Sequence, residues 1–345
     1  MTRSGFAPLG RACVGACLAL VLAVSSARAA GRAAYFYHYM EPAHLDRLAQ
    51  AGFDTAVIHW IGDTLGVRGA RELAAFVERG DAVGITIVPQ WILQQPSRLA
   101  SSPRDRRYTW GTGIVERDIP CPLDTTYWRS ALLERADAML AAAPRTRRIA
   151  VDLEMWTGGR HHWDAGACRC PSCVSEYRGG VRGPFDRRRL SGLLGWEEAA
   201  LERRLVPLLR TFAARHPGVE LGVFDLDYDA FPHRALARAL ARAGVPTADW
   251  SERTYSTGAA DVPAIRRRLA ALGLADAPIH GGLWLKRFTP TALPDAAHAL
   301  RRSAEGWFVF TTYSLWLDPT KLRGPYTLPG TPEAYWSSLR EANTP

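Results

Sequence analysis

Lysine is almost missing from this 345-residue chain: of its 43 basic residues only Lys286 and Lys321 are lysine, and the arginines are spread over segments that also carry Glu and Asp. No basic block or stripe forms, which argues against nucleic acid as a partner and leaves a solvated exterior of mixed charge. After Val24 no apolar run approaches the roughly 20 residues that span a bilayer. No Gly-rich turn follows the first β-type run, where His38-Tyr39-Met40-Glu41-Pro42 stands instead, so the nucleotide signature of an open doubly wound sheet is lacking. That run also has no His-x-His, and a binuclear metal-hydrolase pattern is therefore not met.

The N-terminus has the order of an export signal. Arg3 and Arg11 precede an apolar run from Ala12 to Val24 and a small-residue site, Ala27-Arg28-Ala29, with cleavage expected after Ala29. A retained anchor would need a longer run, and Cys17 lies inside the run rather than after it, against a lipoprotein signal. Residues 1–29 are thus expected to be a signal peptide and 30–345 one domain. Removing 29 of 345 residues leaves 316, enough for one barrel of about 250 residues with insertions. The segment takes three arginines and no acid with it, so the formal charge falls from +9 to +6. The expectation is a secreted or periplasmic monomer with no stable membrane insertion after cleavage.

From residue 33 onward short β-type runs alternate with helical patterns, the order that builds a parallel sheet covered by helices. The eight runs are Ala33 to Met40, Thr55 to Trp60, Gly84 to Trp91, Arg148 to Trp156, Val219 to Asp227, Pro246 to Tyr255, Pro278 to Arg287 and Gly306 to Trp316. Asp124 or Thr125 before the third helix and Thr331-Pro332 before the eighth supply N-cap chemistry, while Gly52, Gly80, Gly244 and Gly273 stand where helices should stop. Eight strand–helix pairs predict an α/β fold, a single (β/α)8 TIM barrel. Two connections are long, about Ile92 to Asp124 after strand three and about Thr157 to Leu194 after strand four. Both follow strand C-termini, where such barrels build their sites.

Strand ends of a closed barrel converge on one mouth. The candidate set there is His38, Tyr39, His59, Trp60, Gln90, Trp91, Asp152, Glu154, Trp156, Asp225, Asp227, Tyr228, Glu252, Tyr255, Trp284, Lys286, Tyr313 and Trp316. Strand periodicity puts Asp152, Glu154 and Trp156 on one face. Two carboxylates in one environment repel, which raises one pKa and keeps an acid protonated for delivery to a leaving oxygen. Asp225 and Asp227 end the neighbouring strand as a second acid pair. Glycosidic cleavage takes two acids about 5 to 5.5 Å apart for retention or about 6.5 to 9.5 Å for inversion. A structural network of these acids with arginine is the competing interpretation, and Asp249 and Glu252 lie on opposite faces of strand six, so at most one points inward.

The Asp-x-Glu at the end of strand four resembles the closing part of the family 18 chitinase signature and the Asp-x-Glu of family 25 muramidases. The resemblance implies a glycoside hydrolase with Glu154 as proton donor and Asp152 supporting it or the substrate's acetamido group. The chitinase pattern carries further aspartates where this chain has Arg148, Ile149 and Ala150. Trp60, Trp91, Trp156, Trp284 and Trp316 add the rings on which a pyranose face stacks, although aromatics also fill cores. A carbohydrate substrate cleaved without a catalytic cofactor is the leading expectation. A barrel that binds glycans without cleaving them, and a metal-dependent hydrolase of other substrates, are the alternatives.

Two of six cysteines leave with the signal, and four remain: Cys121 after strand three, and Cys168, Cys170 and Cys173 after strand four. Four thiols brought together by neighbouring loops could hold a structural Zn²⁺ or form two disulfides. Spacing favours zinc and an oxidising compartment favours bridges. Either would staple two loops into a wall of the cleft.

Overall fold

The computed structural model describes residues 31–36, 40–59, 67–92, 107–111, 113–153, 167–179, 192–229 and 231–344. Eight parallel strands close into a barrel: β1 (Gly31–Phe36), β2 (Thr55–His59), β3 (Thr86–Ile92), β6 (Arg148–Asp152), β7 (Glu220–Phe224), β8 (Thr247–Ser251), β9 (Ile279–Trp284) and β10 (Gly306–Phe310). The long connection after β3 holds an antiparallel pair, β4 (Arg107–Thr109) and β5 (Val115–Pro120). The expected (β/α)8 architecture is therefore the observed one, and the extra hairpin sits in one of the two long loops.

The strands are apolar because they are covered on both faces. In β2, β7 and β8 every residue is buried, as a parallel sheet between a filled lumen and a helical shell requires. The helices are α1 (Leu45–Gln50), α2 (Val67–Val83), α3 (Thr125–Arg129), α4 (Arg135–Ala142), α5 (Pro171–Tyr177), α6 (Leu193–Arg215), α7 (Phe231–Ala243), α8 (Val262–Ala271), α9 (Leu293–Ser303) and α10 (Pro332–Asn343). A π-helical turn, Ser130–Glu134, joins α3 to α4. Asp124 caps α3 by accepting the Thr126 amide at 3.0 Å, and Thr331 caps α10 ahead of Pro332 by accepting the Ala334 amide at 3.3 Å.

One expected helix stop moves. Helix α2 runs past Gly80 to Val83, and Gly84, at φ 77°, ends it. Gly80 is needed for another reason: a Cβ there would lie 2.5 Å from the Ile85 carbonyl, which accepts no such approach. The circle is also clasped end to end. Arg32 of β1 pairs with Asp54 at 3.1 Å and donates to the Asn343 carbonyl of α10, while the Asn343 amide donates to Ala51.

Strand pairing fixes which residues face the lumen. Tyr35 pairs with Val57, Val57 with Val88, His59 with Gln90, Gln90 with Ala150, Ala150 with Gly222, and Phe224 with Trp250. Ala33, Tyr35, Val57, Val88, Ala150, Phe224, Ala248, Trp250 and Phe308 form the inner core, separate from the larger core between strands and helices. The lumen is packed with rings: Phe224 meets Trp250, Phe308 and Tyr35 at centroid distances of 5.9, 5.7 and 5.8 Å. A filled floor leaves only the upper end of the barrel for chemistry.

Candidate active site at the barrel rim

Alternation within the strands carries polar side chains to the inner rim at their C-terminal ends. His59 and Gln90 lie one step above Val57 and Val88, and Asp152 lies one step above Ala150. All three are buried. Tyr35 joins them from β1, its hydroxyl 2.6 Å from His59 Nδ1. The Gln90 amide is completely buried and neither of its polar atoms has a hydrogen-bond partner among the described residues. A buried amide of this kind calls for a polar partner.

Another arc of the rim is aromatic. Tyr255, which follows β8, stacks on Phe310 at 4.9 Å with 15° between planes, and Trp284 at the end of β9 lies 6.3 Å from Tyr255 and 6.1 Å from Phe310. Trp284 Nε1 donates to the Pro325 carbonyl and Lys286 Nζ to that of Gly324, so the Gly324–Tyr326 turn is tied to this side. Hydrogen-bonding groups from β1, β2, β3 and β6 thus share the rim with rings from β9, β10 and the turn after β8, and the two sets meet where Tyr35 packs edge-on against Phe310 at 5.3 Å.

Asp225 stands beside this rim in an unusual conformation. It is the one non-glycine residue with positive φ among the described residues, at 48°, a left-handed backbone that costs of order 1 kcal/mol. Its turn is held from three directions: the Asp225 amide donates to the Trp250 carbonyl, its carbonyl accepts from Tyr228, and Oδ1 accepts the Glu252 amide at 2.7 Å. Burial pushes the Asp225 carboxyl up to about 7, the negative charges of Asp227 and Asp152 add to the rise, and the Glu252 amide opposes it. A carboxyl so poised exchanges a proton near neutrality.

Asp227 corrects an expectation. It does not join Asp152 at the rim; its side chain has no exposure and lies under the shell, 2.9 Å from Arg253 Nε and 3.9 Å from Arg268 of α8. Beside it Asp249 is fully buried on the outer face of β8 and accepts the Leu226 amide at 2.8 Å. Burial and the charges of Asp227 and Asp225 hold the Asp249 carboxyl well above the usual carboxylate range. Trp91 is also corrected: it alternates with Gln90, faces the helices and is fully buried in the outer core. Trp316 packs there too, 5.0 Å from Trp336 and 4.4 Å from His44, beneath the Arg47 guanidinium. Tyr228 lies edge-on to His233 of α7, and Tyr313 to Tyr326. Glu252 reaches the site through its backbone amide. His38, Tyr39, Trp60, Glu154 and Trp156 lie outside the described residues, as does the expected signal segment.

The four cysteines do meet. Their sulfurs all lie within 4.8 Å of one another, all four residues are buried, and none is in a disulfide. Sequence reasoning missed two partners. Tyr35 was findable as the residue two steps beyond Ala33 on an alternating strand. Glu197 of α6, which accepts the Cys168 amide at 2.9 Å, was findable as one of two acids, with Glu198, among the buried positions that include Leu193, Ala200, Leu201 and Leu205. A surface cavity of about 550 Å³ lined by Glu176, Trp196, Arg203 and Arg204 shares no residue with the rim.

No family model matches the chain, and no curated protein matches it. Solved structures do resemble it in fold. Alpha-L-fucosidase isoenzyme 2 from Paenibacillus thiaminolyticus superposes with a TM-score of 0.58 at 11% identity, over 90% of this chain and 48% of that one. The C-terminal domain of a putative chitinase from Desulfitobacterium hafniense DCB-2 gives 0.51 at 10% identity, over 92% of this chain and 100% of that domain. The chain spans about half the length of the fucosidase and the whole length of the chitinase domain. Its closed barrel is a fold that glycoside hydrolases use. At these identities the likeness is one of fold, and chemistry has to be argued from the rim.

Proposed function

We propose that the chain is an exported glycoside hydrolase that cleaves a glycosidic bond in a polysaccharide or glycan at the rim of the barrel. The observation that carries this reading is the mixed rim, with Asp152, His59 and Gln90 on one arc, Tyr255, Trp284 and Phe310 on another, and Tyr35 joining them, 2.6 Å from His59 Nδ1 by its hydroxyl and 5.3 Å from Phe310 by its ring. A pyranose presents hydroxyls at its edge and an apolar face of C–H groups, and a rim of this kind offers a partner to each. Fold neighbours named as a fucosidase and a putative chitinase support the same class.

In this reading Glu154, two residues beyond Asp152, protonates the leaving oxygen, and Asp152 is its positioning residue. Asp225 takes the second carboxylate role, as base, nucleophile or sugar ligand, with its proton affinity already near neutrality. No cofactor is needed for such chemistry. The apolar run and Ala27-Arg28-Ala29 site support export to the periplasm or beyond, and no helix among the described residues is long and apolar enough to cross a membrane. The protein would act as a monomer.

The test is a panel of glycans offered to the purified protein and to Glu154→Gln. Release of product by the former and none by the latter, with binding kept, is expected. Saturable binding by both without product would make the barrel a glycan-binding protein, and neither binding nor release would remove carbohydrate altogether.

A further inference from the structure

We infer that Cys121, Cys168, Cys170 and Cys173 bind one Zn²⁺ as a tetrathiolate centre that locks the hairpin wall to the loop following β6. A tetrahedral zinc thiolate has Zn–S bonds of about 2.3 Å, which sets sulfur–sulfur edges near 3.8 Å. Four sulfurs that all lie within 4.8 Å of one another, with Cys121 and Cys173 at 3.1 Å, already surround a point at that scale. Paired disulfides impose closeness within each pair and give no reason for both pairs to share a centre.

Connectivity points the same way. Only one of the three clustered cysteines can bridge to Cys121, so every two-disulfide scheme closes its other bridge inside the segment from residue 168 to 173. Such a bridge spans a very short loop and removes little freedom from the unfolded chain. A shared cation ties all four sulfurs at once, and with them β5, the loop after β6 and the start of α5.

The surroundings suit thiolates. The Leu123 amide lies 3.4 Å from Cys121 Sγ and the Cys173 amide 3.4 Å from Cys170 Sγ, both donating to sulfur. Such bonds spread the excess negative charge of a tetrathiolate and fix the ligands in place. Glu197 holds the Cys168 backbone from α6, and the Arg169 amide donates to the Thr109 carbonyl of β4 at 2.8 Å, so the ligand loop is pinned on two sides. All four ligands are buried and all are protein sulfurs, which leaves no open position for substrate. The centre is structural, and it stands whether or not the rim hydrolyses glycans.

The experiment uses the full chain recovered from an oxidising compartment without chelator. Elemental analysis is expected to give one zinc per chain, and the denatured mass without reductant should match a chain whose cysteines are all free thiols. Growth with cobalt should yield the visible and near-ultraviolet bands of tetrahedral cobalt thiolate, and Cys170→Ser should lose metal stoichiometry. Should that variant fail to fold, the wild-type mass and cobalt spectrum decide alone. A mass lower by four hydrogens with no bound metal would overturn the proposal in favour of two disulfides. Four free thiols that take up no added Zn²⁺ would overturn it as well.

Discussion

Strands four and five of the barrel run into acid pairs that look alike in sequence, Asp152-Leu153-Glu154 and Asp225-Leu226-Asp227, yet Asp152 lies at the rim and Asp227 beneath the shell. Ala150 pairs with Gly222, so even-numbered residues face the lumen on both strands. Asp152 ends its strand on that face and lies at the rim; Asp225 and Asp227 follow the end of theirs at Phe224, and Asp227 lies toward the shell, where it is met by Arg253 and Arg268. Asp225 escapes that fate only because positive φ turns the chain after Phe224, leaving its carboxyl within the influence of both Asp152 and Asp227. The same residue pattern thus yields a rim group on one strand and an anchored ion pair on the next.

The largest expected effect separates these two directly. Asp152→Asn should lower turnover on a responsive glycan by about 10²-fold or more, because the acid it positions loses its alignment, with little change in thermal midpoint. Asp227→Asn should do the reverse, leaving turnover within a few-fold while costing about 1–3 kcal/mol by stranding Arg253 against a neutral amide. Steady-state kinetics beside denaturant melts would read both, and an inactive but fully stable Asp227 variant would reverse the assignment.

Tryptophans divide in the same way. Trp91, fully buried against the helices, should cost about 3–5 kcal/mol when cut to alanine. Trp284, partly exposed at the aromatic side of the rim, should cost far less stability and instead weaken glycan binding. Equal melting losses in the two variants would contradict the inner and outer placement.

Much of this architecture was readable because eight short apolar runs alternating with capped helices admit few arrangements, and Asp124 and Thr331 announce their helices by side-chain chemistry alone. Parity was not readable. Nothing local says whether Gln90 or Trp91 faces the lumen; that depends on pairing with His59 and Ala150 across neighbouring strands. The run expected from Val219 to Asp227 also stops at Phe224, and the turn beyond it, rather than strand alternation, sets where Asp225 and Asp227 point. The cysteine cluster, by contrast, was visible because loops after adjacent strands must meet.

A smaller effect concerns Asp225. With its carboxyl pushed up to about 7, the pH profile of kcat/KM should bend near neutrality, and Asp225→Asn should abolish or displace that limb. A profile unchanged by the substitution would leave Asp225 as a turn residue only.

The smallest effect tests the shell side. Asp249 is buried, its carboxyl is held above the ordinary value of 3.8, and among the described residues Oδ2 has no hydrogen-bond partner. Below that value the carboxyl is protonated whether the chain is folded or not, and it contributes no pH dependence. Above it the unfolded chain releases the proton while the folded chain retains it, so stability falls as pH rises toward the folded pKa. Asparagine keeps an oxygen to accept the Leu226 amide and cannot ionise. Asp249→Asn should therefore match the wild type in acid and gain on it steadily toward neutral pH, as measured by urea melts across that range. A gap that stays constant, or that closes as pH rises, would mean the acid is ionised in place and that Arg253 and Arg268 neutralise Asp249 as well as Asp227.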